Sequence, residues 1–164
     1  MKKTLLKLSL AFLFLIGISP VISSCSDNKN DNPEEIITFN KLPATAQEFL
    51  NTYFSGKTIL KIEKEEGYGT TIYEVYIEGG YEADFNSEGE WVEVDAPDGM
   101  TIPDGIVPEE VQQTLNQQYP DYGVNEINKT GQGYKVELTN GQGGDSLNLM
   151  FNMAGEIIGI ENAY

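Results

Sequence analysis

The chain has 164 residues, 40% of them hydrophobic, which is enough for one packed domain or two very small ones. Acidic residues outnumber basic ones by 26 to 10, and the net charge of -16 disfavours nucleic acid as a partner because phosphates would be repelled. The absence of histidine and the single cysteine exclude intrachain disulfides, zinc sites built from His and Cys, and catalysis through a histidine base.

Residues 1–24 have the layout of a secretory signal peptide. The basic stretch MKKTLLK precedes the apolar stretch LSLAFLFLIGISPVI, which is shorter than the roughly 20 residues that span a bilayer. The following ISSC ends at Cys25 and resembles the lipobox of bacterial lipoproteins, a family in which the cysteine is lipidated and becomes the first mature residue. The alternatives are a retained membrane anchor and an ordinary secreted protein with one unpaired cysteine.

Residues 25–38 are polar and acidic and lack apolar periodicity, which predicts a flexible tether between the lipid anchor and a globular part. Ser26, rather than an aspartate, follows the cysteine. By resemblance to the sorting rule of enteric lipoproteins, this favours the outer membrane of a Gram-negative bacterium, facing the periplasm or the cell surface.

Two segments each predict one helix followed by antiparallel strands. ATAQEFLNTYF (44–54) and VPEEVQQTLNQQY (107–119) carry apolar residues at helical spacing, with a proline placed to suit the first turn. The later stretches alternate as strands do: TTIYEVYIE, GGYEADF and GEWVEVD, then YKVELT, GGDSLNLMF and GEIIGIE. The sequence therefore predicts an α+β fold of two tandem helix-plus-antiparallel-meander units, 39–95 and 106–164, joined by a linker at 96–105.

The same motif closes both segments. FNSEGE (85–90) and FNMAGE (151–156) share Phe-Asn-x-x-Gly-Glu, and they lie 151 − 85 = 66 residues apart. Other landmarks recur in the same order, which indicates an internal duplication. Because the Asn-x-x-Gly lies between two predicted strands, it predicts a hairpin turn in which Gly89 and Gly155 adopt a positive φ.

A family resemblance rests on four motifs: Leu-Pro-x-x-Ala-x-x-Phe-Leu, Ile-x-Lys-Ile-Glu-Lys, Tyr-Glu-Val and Phe-Asn-x-x-Gly-Glu-Trp. Together they resemble the PepSY-like, β-lactamase-inhibitor-like domain, over about 39–164 in two copies. The second copy departs, with Ile157 at the position of Trp91 and a longer NGQGG loop. The resemblance implies the architecture of the β-lactamase inhibitor protein, with a concave sheet face that grips a protein, and it implies neither catalytic residues nor a cofactor.

Strand alternation predicts which side chains face away from the core. Positions that are apolar in both copies are predicted to face the core: Tyr73, Val75, Ile77, Ala83, Phe85, Val92 and Val94. Trp91, Tyr76 and Ile72 would then lie together among acids on the other face. Exposed aromatics are typical of protein interfaces, so we predict these three as protein-binding residues. The alternative, equally open, is that a linker, a helix or the tether covers Trp91.

A calcium site is a weaker alternative. DFNSEGEWVEVD places Asp84, Asn86 and Glu88 at alternate positions and Asp95 twelfth, near the pattern of a calcium-binding loop. The stretch lacks flanking helices, and the second copy has Met150 and Ala154 where ligands would stand. A β-hairpin explains the same residues, so no metal site is expected.

These observations predict a non-catalytic lipoprotein of the cell envelope, acting as a protein-binding and in some settings inhibitory module. Its expected partners are an envelope or secreted protein and, through the lipid, a membrane. A structural or calcium-binding envelope component is the alternative function. A glycosidase that uses two carboxylates is the enzymatic alternative, and two carboxylates facing each other in a closed pocket would favour it.

Lipidation at Cys25 can be tested directly. Mass spectrometry of the mature N-terminus should find Cys25 first and carrying acyl chains, whereas a Cys25→Ala variant should lose the anchor and leave the membrane fraction. An unmodified Cys25, or cleavage elsewhere, would contradict the prediction.

Overall fold

The architecture is known from a computed structural model, which describes residues 34–67, 69–141 and 146–162. The predicted signal peptide, Cys25 and most of the predicted tether lie outside the described residues. The described helices are α1 (Ala44–Tyr53) and α2 (Glu109–Gln118), and a short 3-10 helix spans Phe39–Lys41. The strands are β1 (Glu35–Ile36), β2 (Ile59–Gly67), β3 (Thr70–Ile77), β4 (Tyr81–Asn86), β5 (Trp91–Asp95), β6 (Gly123–Thr130), β7 (Gly133–Thr139), β8 (Leu147–Asn152) and β9 (Ile157–Asn162).

All the described strands form a single sheet, in the order of the chain from β1 to β9. Every neighbouring pair is antiparallel, including β5 and β6, which pair through Val94 and Ile127. The segment between these two strands contains the predicted linker and α2. Because β5 and β6 pair directly, the sheet continues from the first half of the chain into the second. The α+β class is confirmed.

Both helices pack on the same face of this sheet. Ala46 and Leu50 of α1, and Val111 and Leu115 of α2, are buried at a spacing of four residues, which places each pair on one side of its helix. They join one cluster with buried strand residues that include Val75, Ala83, Phe85, Ile127, Val136, Leu149 and Phe151. Neither described helix is long and apolar enough to cross a membrane.

The two halves share their irregularities as well as their element order. The register of β2 and β3 shifts between Ile59 and Lys61, and that of β6 and β7 shifts between Val124 and Glu126. Further shifts occur between Asp84 and Phe85 and between Met150 and Phe151, at matching positions of the repeated motif. β-Bulges of this kind increase twist and redirect side chains.

The repeated Asn organises the last hairpin of each half. The Oδ1 atom of Asn86 accepts hydrogen bonds from the backbone N–H groups of Glu88 (2.9 Å) and Glu90 (3.0 Å). The Oδ1 atom of Asn152 accepts the equivalent bonds from Ala154 and Glu156 (both 3.0 Å). Gly89 has a φ of +81° and Gly155 a φ of +74°, which confirms the predicted turn conformation.

The same glycines also seat each hairpin on the beginning of its helix. A Cβ atom at Gly89 would lie 2.7 Å from Pro43 Cβ, and one at Gly155 would lie 2.4 Å from the Glu110 carbonyl oxygen. The Thr114 hydroxyl donates a hydrogen bond of 2.7 Å to the Gly155 carbonyl. The motif is therefore explained by turn geometry and by close approach of the turn to the helix.

A buried amide holds the linker between β5 and α2. Asn125 is only 2% exposed, and its Nδ2 donates to the carbonyls of Ala96 (2.9 Å) and Met100 (2.9 Å). Ile102 and Ile106 of the linker are buried in the core cluster. The linker thus packs against the core on the helical side of the sheet.

Candidate protein-binding surface

The face of the sheet opposite the helices carries most of the acidic strand residues. None of the described helices or strands packs on this face, and we call it the open face. Its side chains follow from the strand registers, because neighbouring paired residues point to the same side. Its carboxylates are Glu63, Glu65, Glu74, Glu82, Asp84, Glu93, Asp95, Glu126, Glu137 and Glu161.

Eight of these carboxylates form two adjacent rows across the strands. One row runs across β2 to β5 through Glu63, Glu74, Asp84 and Glu93. The other runs across β4 to β7 through Glu82, Asp95, Glu126 and Glu137. Neighbouring strands lie only about 4.8 Å apart, and like charges directly opposite each other destabilise a sheet. The carboxylates of the rows therefore repel one another more strongly than the same number of acids spread over the surface would.

Asp84 lies at the centre of the two rows. Its Oδ1 atom is inaccessible to solvent and has no hydrogen-bond partner. Burial, together with the charges of Glu74, Glu82, Glu93 and Glu65, raises the pKa of Asp84 to about 8. The side chain therefore holds a proton at neutral pH, where an ordinary aspartate is ionised.

The pKa values of the neighbouring acids Glu93 and Glu82 are raised as well. Burial, together with the charges of Glu126, Glu82 and Asp95 and against that of Lys135, raises the pKa of Glu93 to about 7. Burial also raises the pKa of Glu82, with Glu74 and Asp95 contributing. The centre of the open face thus contains two carboxyl groups, Asp84 and Glu93, whose pKa values lie near neutral pH.

Tyr76 lies on the open face, as predicted. Its hydroxyl donates a 2.9 Å hydrogen bond to Glu74, and burial together with this bond raises the tyrosine pKa. Lys61 Nζ lies 4.3 Å from the centre of the tyrosine ring and 2.7 Å from a Glu63 oxygen. Ile72 is on the same face, opposite Asn86 on β4. The half-buried ring and its charged neighbours form one polar and aromatic patch.

The predicted position of Trp91 is wrong. The bulge between β4 and β5 makes Val92 an extra residue, so that Trp91 pairs with the buried Phe85 and packs against the core on the helical side. Val92, predicted to be core, is half-buried within the bulge. Ile157 pairs with Phe151 in the same way. The structure therefore places Tyr76 and Ile72 on the same face of β3, on either side of Glu74, and separates Trp91 from both.

Trp91 has its own contacts on the helical side. Its ring stacks on Tyr134 with the centres 6.4 Å apart, and Lys129 Nζ lies 4.1 Å from the centre of the indole. Burial lowers the pKa of Lys129. The two partners come from β6 and β7, so Trp91 links the first half of the chain to the second.

The four residues of the calcium alternative occupy a hairpin. Asn86 uses Oδ1 within the turn, and Glu88 is exposed at its tip. Asp84 and Asp95 lie on the open face, where Asp84 pairs with Glu93 and Asp95 with Glu82. In the described part of the chain, no group of three or more acidic, cysteine or histidine side chains is placed to hold a metal ion.

The cavities bear on the enzymatic alternative. Three of the cavities among the described residues are each lined by a single carboxylate residue: Glu35, Glu109 or Asp104. The paired carboxylates lie instead on the open face. A surface of this kind favours binding over hydrolysis, which requires an acid and a second carboxylate on opposite sides of an enclosed bond.

Comparison with known proteins agrees with the family resemblance. A family described as "Putative beta-lactamase-inhibitor-like, PepSY-like" matches residues 29–79 and 71–159, and the chain belongs to this family. None of the curated proteins compared with the sequence matches it.

Solved structures from Bacteroides have the same fold. A "putative periplasmic protein" of the DUF2874 family from Bacteroides vulgatus is 27% identical with a TM-score of 0.70, covering 82% of this chain and 100% of that one. A "putative calcium-regulated periplasmic protein" from Bacteroides thetaiotaomicron is 28% identical with a TM-score of 0.69, covering 79% and 97%. The described fold is thus shared with solved proteins that are described as periplasmic.

The raised pKa of Asp84 predicts how stability depends on pH. Between about pH 4, where an unfolded aspartate ionises, and about pH 8, the folded state holds a proton that the unfolded chain has lost. The resulting stability is fully present below pH 4 and is lost as the pH rises through 8. Asp84→Asn should therefore raise the free energy of unfolding at pH 9 by on the order of 2 kcal/mol, and by much less at pH 5.

Urea denaturation of both proteins at pH 5, 7 and 9 measures this difference. The control is Asp121→Asn, which removes one exposed carboxylate from the loop after α2. Equal effects of Asp84→Asn at pH 5 and pH 9 would show that Asp84 ionises normally in the folded state.

Proposed function

We propose that this chain is a non-catalytic lipoprotein of the cell envelope that binds a positively charged protein through the open face of its sheet. The observation that carries the proposal is the pair of carboxylate rows, which cover the centre of that face. Lysine or arginine side chains of a partner would relieve the repulsion within the rows. The inhibitory role suggested by the family description is a special case, in which the captured protein is an enzyme.

The charge arrangement favours a protein partner with basic residues for two reasons. Complementary potentials speed association and select against partners of the same charge. A cation beside Asp84 or Glu93 would also lower their pKa values, because it favours the ionised form. Each carboxylate that ionises on binding would then attract the partner's cation. Tyr76 and Ile72 supply apolar contact area beside the rows, as interface centres usually require.

Location in the envelope is supported by the lipobox-like ISSC and by the similar solved structures described as periplasmic. We propose that Cys25 carries a lipid anchor in the outer membrane and that the residues between Cys25 and β1 act as the tether. This tether is shorter than the predicted 25–38, because Glu35 and Ile36 pair with β2. The described unit would then face the periplasm or the cell surface. The matching strand registers support an origin by duplication, with 39–95 and 106–164 as the two copies.

Capture from envelope extract, with residues 26–164 as bait, tests the binding surface. The bait should retain a basic protein at low salt and release it as salt is raised, because screening weakens attraction between charges. A triple variant, Glu74→Gln with Asp84→Asn and Glu93→Gln, should lose most of this capture. Tyr76→Ala should weaken it by about 2 kcal/mol or more if the ring is an interface anchor.

The matched control neutralises three acids away from the open face: Glu109→Gln, Glu110→Gln and Asp121→Asn. These residues are exposed in α2 and the loop after it. If both triple variants lose capture equally, net charge rather than the open face is responsible. If the open-face variant captures the same basic protein as the wild type, the proposal is wrong.

Calcium binding is the second candidate function, because one similar structure is described as calcium-regulated. The carboxylate rows offer oxygen atoms, but a calcium ion would have to draw them together, since in the described residues no three of them are placed to hold a metal ion. The same capture experiment separates the two candidates when it is repeated with CaCl₂ and with EDTA. A rise in melting temperature with CaCl₂, absent with MgCl₂ and in the open-face variant, would favour calcium. Capture that persists in EDTA would favour direct binding of the protein.

A further inference from the structure

The two halves contain equivalent Lys–Tyr pairs on the helical side of the sheet. Lys64 of β2 pairs with Tyr73 of β3, and Lys129 of β6 pairs with Tyr134 of β7. Each tyrosine in turn pairs with the phenylalanine of the repeated motif, Phe85 or Phe151. The strand before each pair also corresponds, since β1 pairs with β2 as β5 pairs with β6.

The two pairs differ in what covers them. In the second half, the indole of Trp91 stacks on Tyr134, and the ammonium of Lys129 lies over it. In the first half, Glu35 of β1 occupies the position from which a tryptophan would reach Tyr73, and Lys64 forms an ion pair with Glu66 instead.

A cavity of about 370 Å³ is found over the first pair. Its lining includes Glu35, Thr38, Lys41, Lys64 and Tyr73. This volume is within the usual range of ligand pockets, about 300–1,000 Å³. The cavity therefore lies where the fold, in its other half, accommodates an indole.

We propose that this cavity binds a tryptophan side chain presented by a protein partner. The indole would stack on Tyr73 as Trp91 stacks on Tyr134, and the Lys64 ammonium could move from Glu66 to the face of the ring. The Glu35 carboxylate lies in the lining and can accept the indole N–H. The chain contains one tryptophan, and Trp91 already fills the equivalent site, so the occupant comes from another molecule.

This site is separate from the open face and stands without the proposed function. Glu35, Lys64 and Tyr73 face the helical side of the sheet, whereas the carboxylate rows face away from it. A partner that inserts a tryptophan here would approach along the edge of the sheet formed by β1.

Two peptides test the proposal on residues 26–164, a stretch that includes all described residues of the compact unit. The probes are acetylated Gly-Gly-Trp-Gly-Gly and its leucine counterpart, added during two-dimensional NMR. The tryptophan peptide should shift signals of Thr38, Lys64 and Tyr73 with a Kd on the order of 1 mM, as expected for one side chain. The leucine peptide should bind at least about five times more weakly, because it lacks the stacking and cation–π contacts.

Two variants of different kinds keep the test independent of folding. Glu35→Trp supplies an indole from β1 itself and should block the peptide while the protein stays folded. Tyr73→Ala should abolish the shifts by removing the stacking surface. The control, Tyr122→Ala, removes an exposed tyrosine after α2 and should leave the binding unchanged. Equal shifts with both peptides, no shift at the cavity, or unchanged binding by folded Glu35→Trp would each overturn the proposal.

Discussion

Backbone pairing between β5 and β6 is the constraint on which the rest of the structure depends. A unit of about 60 residues buries only about 60% of its unfolded surface and is marginal by itself. Pairing across Val94 and Ile127, both fully buried, joins the two halves into one sheet and removes two free strand edges. The buried Asn125 fixes the linker beside this junction, because its amide donates hydrogen bonds to the linker carbonyls of Ala96 and Met100. If the linker moved away, these buried amide hydrogens would lack acceptors.

One continuous sheet with both helices on the same side has one covered face and one open face. The covered face explains the apolar positions shared by the halves, including the phenylalanine of the repeated motif. The open face explains where the excess of acidic residues lies. Rows of carboxylates lower stability through repulsion and partial burial, and perturbed pKa values of this kind are concentrated at functional sites. Asp84 and Glu93 lie directly opposite each other in adjacent strands, where two acids lower stability, so selection for stability alone does not account for them.

Much of the fold could be predicted from the sequence because helical spacing, strand alternation and the Asn-x-x-Gly turns are local signals. The helices over 44–53 and 109–118 and the positive φ of both motif glycines are confirmed. Strands β2 and β6 were not predicted as strands, although ILKIEKEEG contains apolar residues at Ile59 and Ile62. Their long, charged stretches give weak alternation, and only their pairing with β3 and β7 establishes them.

The candidate site was less predictable because it depends on register. A strict alternation reaches the right face for Tyr76 and Ile72, but one bulge residue, Val92, moves Trp91 to the other face. Acids were expected around Tyr76, yet nothing local indicates that Asp84 stands opposite both Glu74 and Glu93. Cross-strand neighbours come from sheet order, which a single sequence does not specify.

Native-state hydrogen exchange at the junction tests the central claim most directly. If the halves form one cooperative sheet, the amides of β5 and β6 should exchange only through global unfolding, with the same free energy of opening as those of β3 and β7. The comparison should hold as low concentrations of denaturant are added. Exchange of the β5 and β6 amides through an opening of much lower free energy, while β3 and β7 stay protected, would show two independent halves and contradict the account.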